Sequence, residues 1–158
     1  MILDERNEFA DATSVAAASG TTTLIGDVID LGTDGVNYVD DLWVYIQTST
    51  EIITGGVAGT IQFHVVSDSL ASLGAGVVAD CTTHLASAIL ITDDAAANST
   101  QLNAGEYILR AQLPPGVYER YLGILCTIGT TTVTAGAVNA GLTPQVPSWK
   151  AFDAPFQL

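Results

Sequence analysis

The feature that most constrains this chain is an apolar period of two. Across Gly59–Val66, Ile61, Phe63 and Val65 point one way while Thr60, Gln62 and His64 point the other, the mark of a strand with one buried face. Leu42–Thr48 repeats the pattern, with Leu42, Val44 and Ile46 on one side and Trp43 and Tyr45 on the other. An aromatic patch therefore stands opposite the core-facing side, and both faces call for cover. Further stretches rich in β-branched residues lie at Thr22–Leu31, Ala86–Thr92, Glu106–Leu113, Glu119–Ile128 and Thr131–Asn139. Turn signals such as Gly32-Thr-Asp-Gly35, Asp93-Asp94, Pro114-Pro-Gly116 and Gly129 separate them. In Glu119–Ile128 the alternation groups Leu122, Ile124, Cys126 and Ile128, which makes Cys126 a small buried apolar side chain. Only Ser69–Leu73 and Asp93–Asn98 have the composition of a short helical turn.

About seven or eight strands without crossover helices exclude a parallel α/β sheet. They predict an all-β fold, an antiparallel β-sandwich of jelly-roll type. At 158 residues the chain has the size of one domain, and no repeat or composition break divides it. Its ends differ from its middle. Residues 1–20 read as an N-terminal arm, with acidic residues among Ile2, Leu3 and Phe9 followed by the small-residue stretch Ser14–Gly20. The sandwich proper is expected over 21–142. Residues 143–158 read as an extended tail, where Pro144, Pro147 and Pro155 hold the backbone open between Trp149, Phe152 and Phe156. Such a tail wants a surface to lie on, its own or a neighbour's.

Charge narrows the function classes. Four basic residues against seventeen acidic ones give a net charge of −13, with Lys150 the single lysine. Nucleic-acid binding needs several cations to displace counterions, and an anionic membrane surface needs the same, so neither partner is expected. Two cysteines are too few for a disulfide framework. The amino terminus has neither the basic start nor the apolar stretch of a secretory signal, and no apolar run approaches a membrane span. Folding in a reducing cytoplasm is the expectation, and Asn98-Ser-Thr100 reads as a chance match to a glycosylation acceptor.

The inventory for catalysis is thin: two histidines, two cysteines, no Gly-x-Ser-x-Gly elbow and no phosphate-binding glycine loop. Cys81-Thr-Thr-His84 holds two potential zinc ligands, but a site would need two more, from His64, Asp80 or elsewhere. As a nucleophile pair it lacks an orienting third group. Asp27, Asp30, Asp34, Asp40 and Asp41 cluster along the chain without forming a calcium loop, and read as a solvated acidic face. No cofactor, metal site or catalytic residue is expected.

Three phrases carry a likeness: Met1-Ile-Leu-Asp-Glu-Arg-Asn-Glu-Phe-Ala-Asp-Ala-Thr13, Leu24-Ile-Gly-Asp-Val-Ile-Asp-Leu31 and Tyr38-Val-Asp-Asp-Leu-Trp-Val-Tyr45. With them the chain resembles the capsid cement (decoration) proteins of tailed phages, the family typified by the Bordetella phage cement protein. The resemblance implies a jelly-roll virion protein on the outer surface of an icosahedral head, made in the host cytoplasm, that clamps adjacent major capsid subunits. It also implies a homodimer or small homo-oligomer. Phe9, Trp43, Tyr45, Trp149, Phe152 and Phe156 are the expected anchors at protein interfaces. The competing expectation is a carbohydrate- or receptor-binding sandwich using Trp43, Tyr45 and the acidic loops; a jelly-roll hydrolase would need two carboxylates on facing strands.

Overall fold

Alternating sequence becomes antiparallel pairing throughout. A computed structural model describes residues 5–38, 42–93 and 99–144, and within them the chain forms β1 (Glu8–Ser14), β2 (Thr22–Leu24), β3 (Ile29–Asp30), β4 (Val36–Tyr38), β5 (Trp43–Thr54) and β6 (Gly59–Asp68). There follow β7 (Thr82–Ala86), β8 (Leu90–Thr92), β9 (Tyr107–Gln112), β10 (Gly116–Tyr118), β11 (Tyr121–Gly129) and β12 (Val133–Thr143). The first sheet runs β1-β12-β5-β9 and the second β2-β11-β6-β7. β3 continues beside β11 beyond β2, β8 continues beside β6 beyond β7, and β4 with β10 makes a separate two-stranded ribbon. The chain is thus an all-β sandwich.

Its core lies between the two sheets, built from the positions that the alternation marks. Ile61, Phe63 and Val65 of β6, Leu122, Ile124, Cys126 and Ile128 of β11, and Val44 and Ile46 of β5 all have no exposed surface and join one cluster. Leu42 packs against it from the edge. Truncating Phe63 to Ala would cost about 3–5 kcal/mol, the usual loss for an enclosed phenylalanine.

Three expectations need correcting. Thr22–Leu31 is not one strand: it breaks between β2 and β3 at Gly26, which has φ +67° and passes so close under β1 that an added Cβ would meet the Phe9 carbonyl oxygen at 1.8 Å. The Asp27 N–H donates to that same carbonyl at 2.7 Å, tying the break to the first sheet. Ala86–Thr92 breaks likewise at Ser87, which bonds Phe63 through both its backbone N–H (2.9 Å) and its Oγ (3.1 Å). Finally, the stretch read as an N-terminal arm contains β1, which pairs with β12 and makes one edge of the first sheet. The helical turn expected at Ser69–Leu73 is a turn leading into two 3-10 segments, Gly74–Gly76 and Val78–Asp80. The one expected at Asp93–Asn98 falls largely outside the described residues.

Residues 69–81 cover part of the outer face of the second sheet. Leu73, Val66 and Leu125 form a small separate cluster there, backed by Val28, Val78, Cys81 and Tyr121. Leu73 fits because residue 123 is glycine: a Cβ on Gly123 would stand 2.3 Å from a Leu73 methyl carbon. The segment is held by Asp68, whose carboxylate accepts the N–H groups of Gly74 at 2.6 Å and Leu70 at 3.1 Å. Burial opposes the charge on Asp68, but these donors outweigh it and hold its carboxyl below the ordinary value.

Candidate interaction surface

The outward face of the first sheet carries the aromatic pair. β5 sits between β12 and β9, so the residues beside its odd positions are fixed by register: Trp43 lies between Thr143 and Gln112, and Tyr45 between Gly141 and Arg110. Trp43 is half-buried and Tyr45 is 4% exposed. Tyr45 lies down because its neighbour has no side chain; a Cβ on Gly141 would come within 3.1 Å of its ring and its hydroxyl. Burial, followed by the charge of Glu8, pushes its phenol up to about 12. Beside the pair, the Arg110 guanidinium stands 5.4 Å from the centre of the Tyr107 ring.

The expected anchors therefore separate. Trp43 is only part-buried. Tyr45 is nearly covered and contributes to the platform mainly as a floor. Phe9, at 1% exposure, is a core side chain that closes the sandwich under β1, so it is not available to a neighbouring chain. Trp149, Phe152 and Phe156 lie outside the described residues. The strand that leads to them ends beside Trp43, because Thr143 and Trp43 are register partners.

The structure also assembles a polar group that sequence spacing does not announce. The Ser67 hydroxyl lies 2.8 Å from His84 Nε2 and accepts the Glu119 N–H at 3.2 Å. The His84 ring stacks on Tyr118 with centroids 3.8 Å apart and planes 22° apart. Thr82 donates to the Glu119 carboxylate at 2.7 Å. Burial lowers the His84 pKa, with Glu119 pulling the other way, so its ring is neutral at pH 7. A serine beside a neutral histidine resembles an activated nucleophile, but Ser67 has no exposed surface for a substrate to reach. Here the trio ties β6, β7 and the approach to β11 together.

Other candidate groups are engaged in structure. Cys81 backs the Leu73 cluster, and burial together with Asp68, Asp80 and Glu119 raises its thiol pKa, the opposite of what a nucleophile needs. Burial pushes the Cys126 thiol up to about 12. Of the acidic run, Asp30 holds Arg120 in a two-pronged pair at 2.9 Å, and Asp34 accepts the Arg120 backbone N–H at 2.9 Å. Asp40 and Asp41 lie outside the described residues. Among the described residues no group of three or more His, Cys, Asp or Glu is placed to hold a metal ion.

No family model and no curated protein matches this chain.

Proposed function

We propose that this chain is an adhesive structural protein, a capsid cement protein of the tailed-phage type that binds the outer surface of an icosahedral head and clamps adjacent major capsid subunits. The observation that carries the reading is the placement of Trp43. It stands on an outward sheet face beside Thr143, where β12 runs on into the proline- and aromatic-rich residues 145–158. A part-buried tryptophan thus stands beside the end of β12, from which the segment expected to lie on a surface continues, and such aromatic anchors dominate protein interfaces.

The order of strand pairing supports a jelly roll, the fold that the resemblance implies. Counting β2 with β3 and β7 with β8 as single bent strands and setting aside the β4–β10 ribbon, the described residues form eight strands in sequence. The first pairs the last (β1·β12), the second the seventh (β2/β3·β11), the third the sixth (β5·β9) and the fourth the fifth (β6·β7/β8). One long hairpin wrapped into two sheets gives this nesting. The net charge of −13 suits a protein that joins other proteins while packaged DNA repels it.

Purified virions test the reading. They should carry the protein stoichiometrically on the outer shell, and heads lacking it should rupture at lower temperature. A chain ending at Pro144 should fold and fail to decorate shells. Absence from virions sinks the proposal. Binding to glycans on an array, lost in Trp43→Ala, would replace it with a carbohydrate-binding module.

A further inference from the structure

Strand register orders the outward face of the first sheet into rows. One row reads Thr143, Trp43, Gln112, and the next reads Glu8, Gly141, Tyr45, Arg110. The second row is thus acidic at its β1 end and basic at its β9 end, with Tyr45 laid over Gly141 between them. Tyr45 and Thr143 are 4% and 2% exposed, although both stand on the outward side of a two-layer sandwich. After burial, the charge of Glu8 does most to raise the Tyr45 phenol, which sets that carboxylate beside the same ring. β12 ends at Thr143, in the row of Trp43, and residues 145–158 follow from there.

We infer that residues 145–158 lie back across this face of their own chain, with Lys150 over Glu8 and Asp153 toward Arg110. Reach permits it: at about 3.1 Å per residue the chain from Thr143 to Lys150 covers about 20 Å, more than the roughly 15 Å that four strands span. Periodicity favours it. With three residues per turn, the habit of proline-rich chain, Trp149 and Phe152 fall on one side and Lys150 and Asp153 on the next. Charge selects the direction, because the segment presents its lysine and then an aspartate to a row that runs from carboxylate to guanidinium. Trp43 and Tyr45 supply an aromatic floor for the rings of the segment. The tether favours the chain's own face over a neighbour's: it holds the segment at an effective concentration in the millimolar range, so a contact of modest strength suffices.

This placement does not depend on the cement reading; under that reading Trp43 serves the shell by seating the tail. Lys150 is the single lysine, so its neighbours can be mapped directly. Carbodiimide, which joins an amine to a carboxylate in contact with it, is applied to the full chain as a mixture of isotope-labelled and unlabelled protein, and the products are mapped by mass spectrometry. Lys150 should be joined to Glu8 within chains of one label, Glu8→Gln should abolish that link, and roughly 0.5 M salt should about halve its yield by screening. In a Trp149→Phe chain, where Trp43 is the sole tryptophan, Lys150→Glu should make acrylamide quench the fluorescence about twofold more strongly, the effect of losing one surface ion pair. No link from Lys150 to Glu8, a link found only between differently labelled chains, Lys150 joined instead to the cover of the second sheet at Asp80, or quenching unmoved by Lys150→Glu overturns the inference. Shell decoration is scored separately: a chain that decorates without the Lys150–Glu8 link removes this contact and keeps the cement reading, and a linked chain that never decorates does the reverse.

Discussion

The socket over Gly123 allows one quantitative test of how residues 69–81 are held. Leu73 is fully buried, and its methyl carbon occupies the space that a Cβ on Gly123 would need, 2.3 Å away. Leu73→Ala removes three carbons, which at about 0.8 kcal/mol each is about 2.4 kcal/mol of lost transfer energy, rising to about 3 kcal/mol with the cavity left behind. No strain is relieved in exchange, because the substituted alanine would inherit the left-handed backbone that Leu73 holds at φ 44°. Gly123→Ala alone forces Leu73 off its position and should cost about 1–3 kcal/mol. In the double variant the new methyl enters the space Leu73 vacates, so the combined loss should fall short of the sum by about 1 kcal/mol or more. Urea unfolding of the four proteins measures this, and Leu73→Ala should lower the melting temperature by about 6–12 °C. Losses that add to within about 0.5 kcal/mol would show that Leu73 does not fill this socket.

Two further predictions concern other parts of the sandwich. Because burial lowers the His84 pKa below its ordinary 6.5, the folded chain binds fewer protons than the unfolded chain beneath that pH. Its contribution to stability is complete above 6.5 and is lost as pH falls through the lower folded value; His64, lowered by burial on the same sheet, acts in the same direction. Denaturation at pH 7.5 and pH 5 should show the decline, and His84→Gln should flatten part of it. Gly26→Ala sets a left-handed alanine against the Phe9 carbonyl and should cost more than about 3 kcal/mol. Gly20→Ala, at φ +73° with nothing within 4 Å, should cost only about 1 kcal/mol by calorimetry.

What could be read from the sequence follows the range of the forces involved. The alternations in β5, β6 and β11 are local, and they gave the inward sets Val44 and Ile46, Ile61 to Val65, and Leu122 to Ile128. β1 hides its pairing because its register with β12 shifts twice, between Glu8 and Ala10 and between Ala10 and Thr13, with Ala12 at φ 44°. A bulged strand has no clean period, so Phe9 reads as belonging to an arm. The breaks at Gly26 and Ser87 are set by Phe9 and Phe63, partners far away in sequence. At the aromatic face the outward direction of Trp43 and Tyr45 was legible. The depth of Tyr45 was not, since it depends on a glycine at 141 brought alongside by β12. Ser67 and His84 meet because β6 pairs with β7, and Glu119 joins them from the turn between β10 and β11; no spacing rule joins positions so far apart.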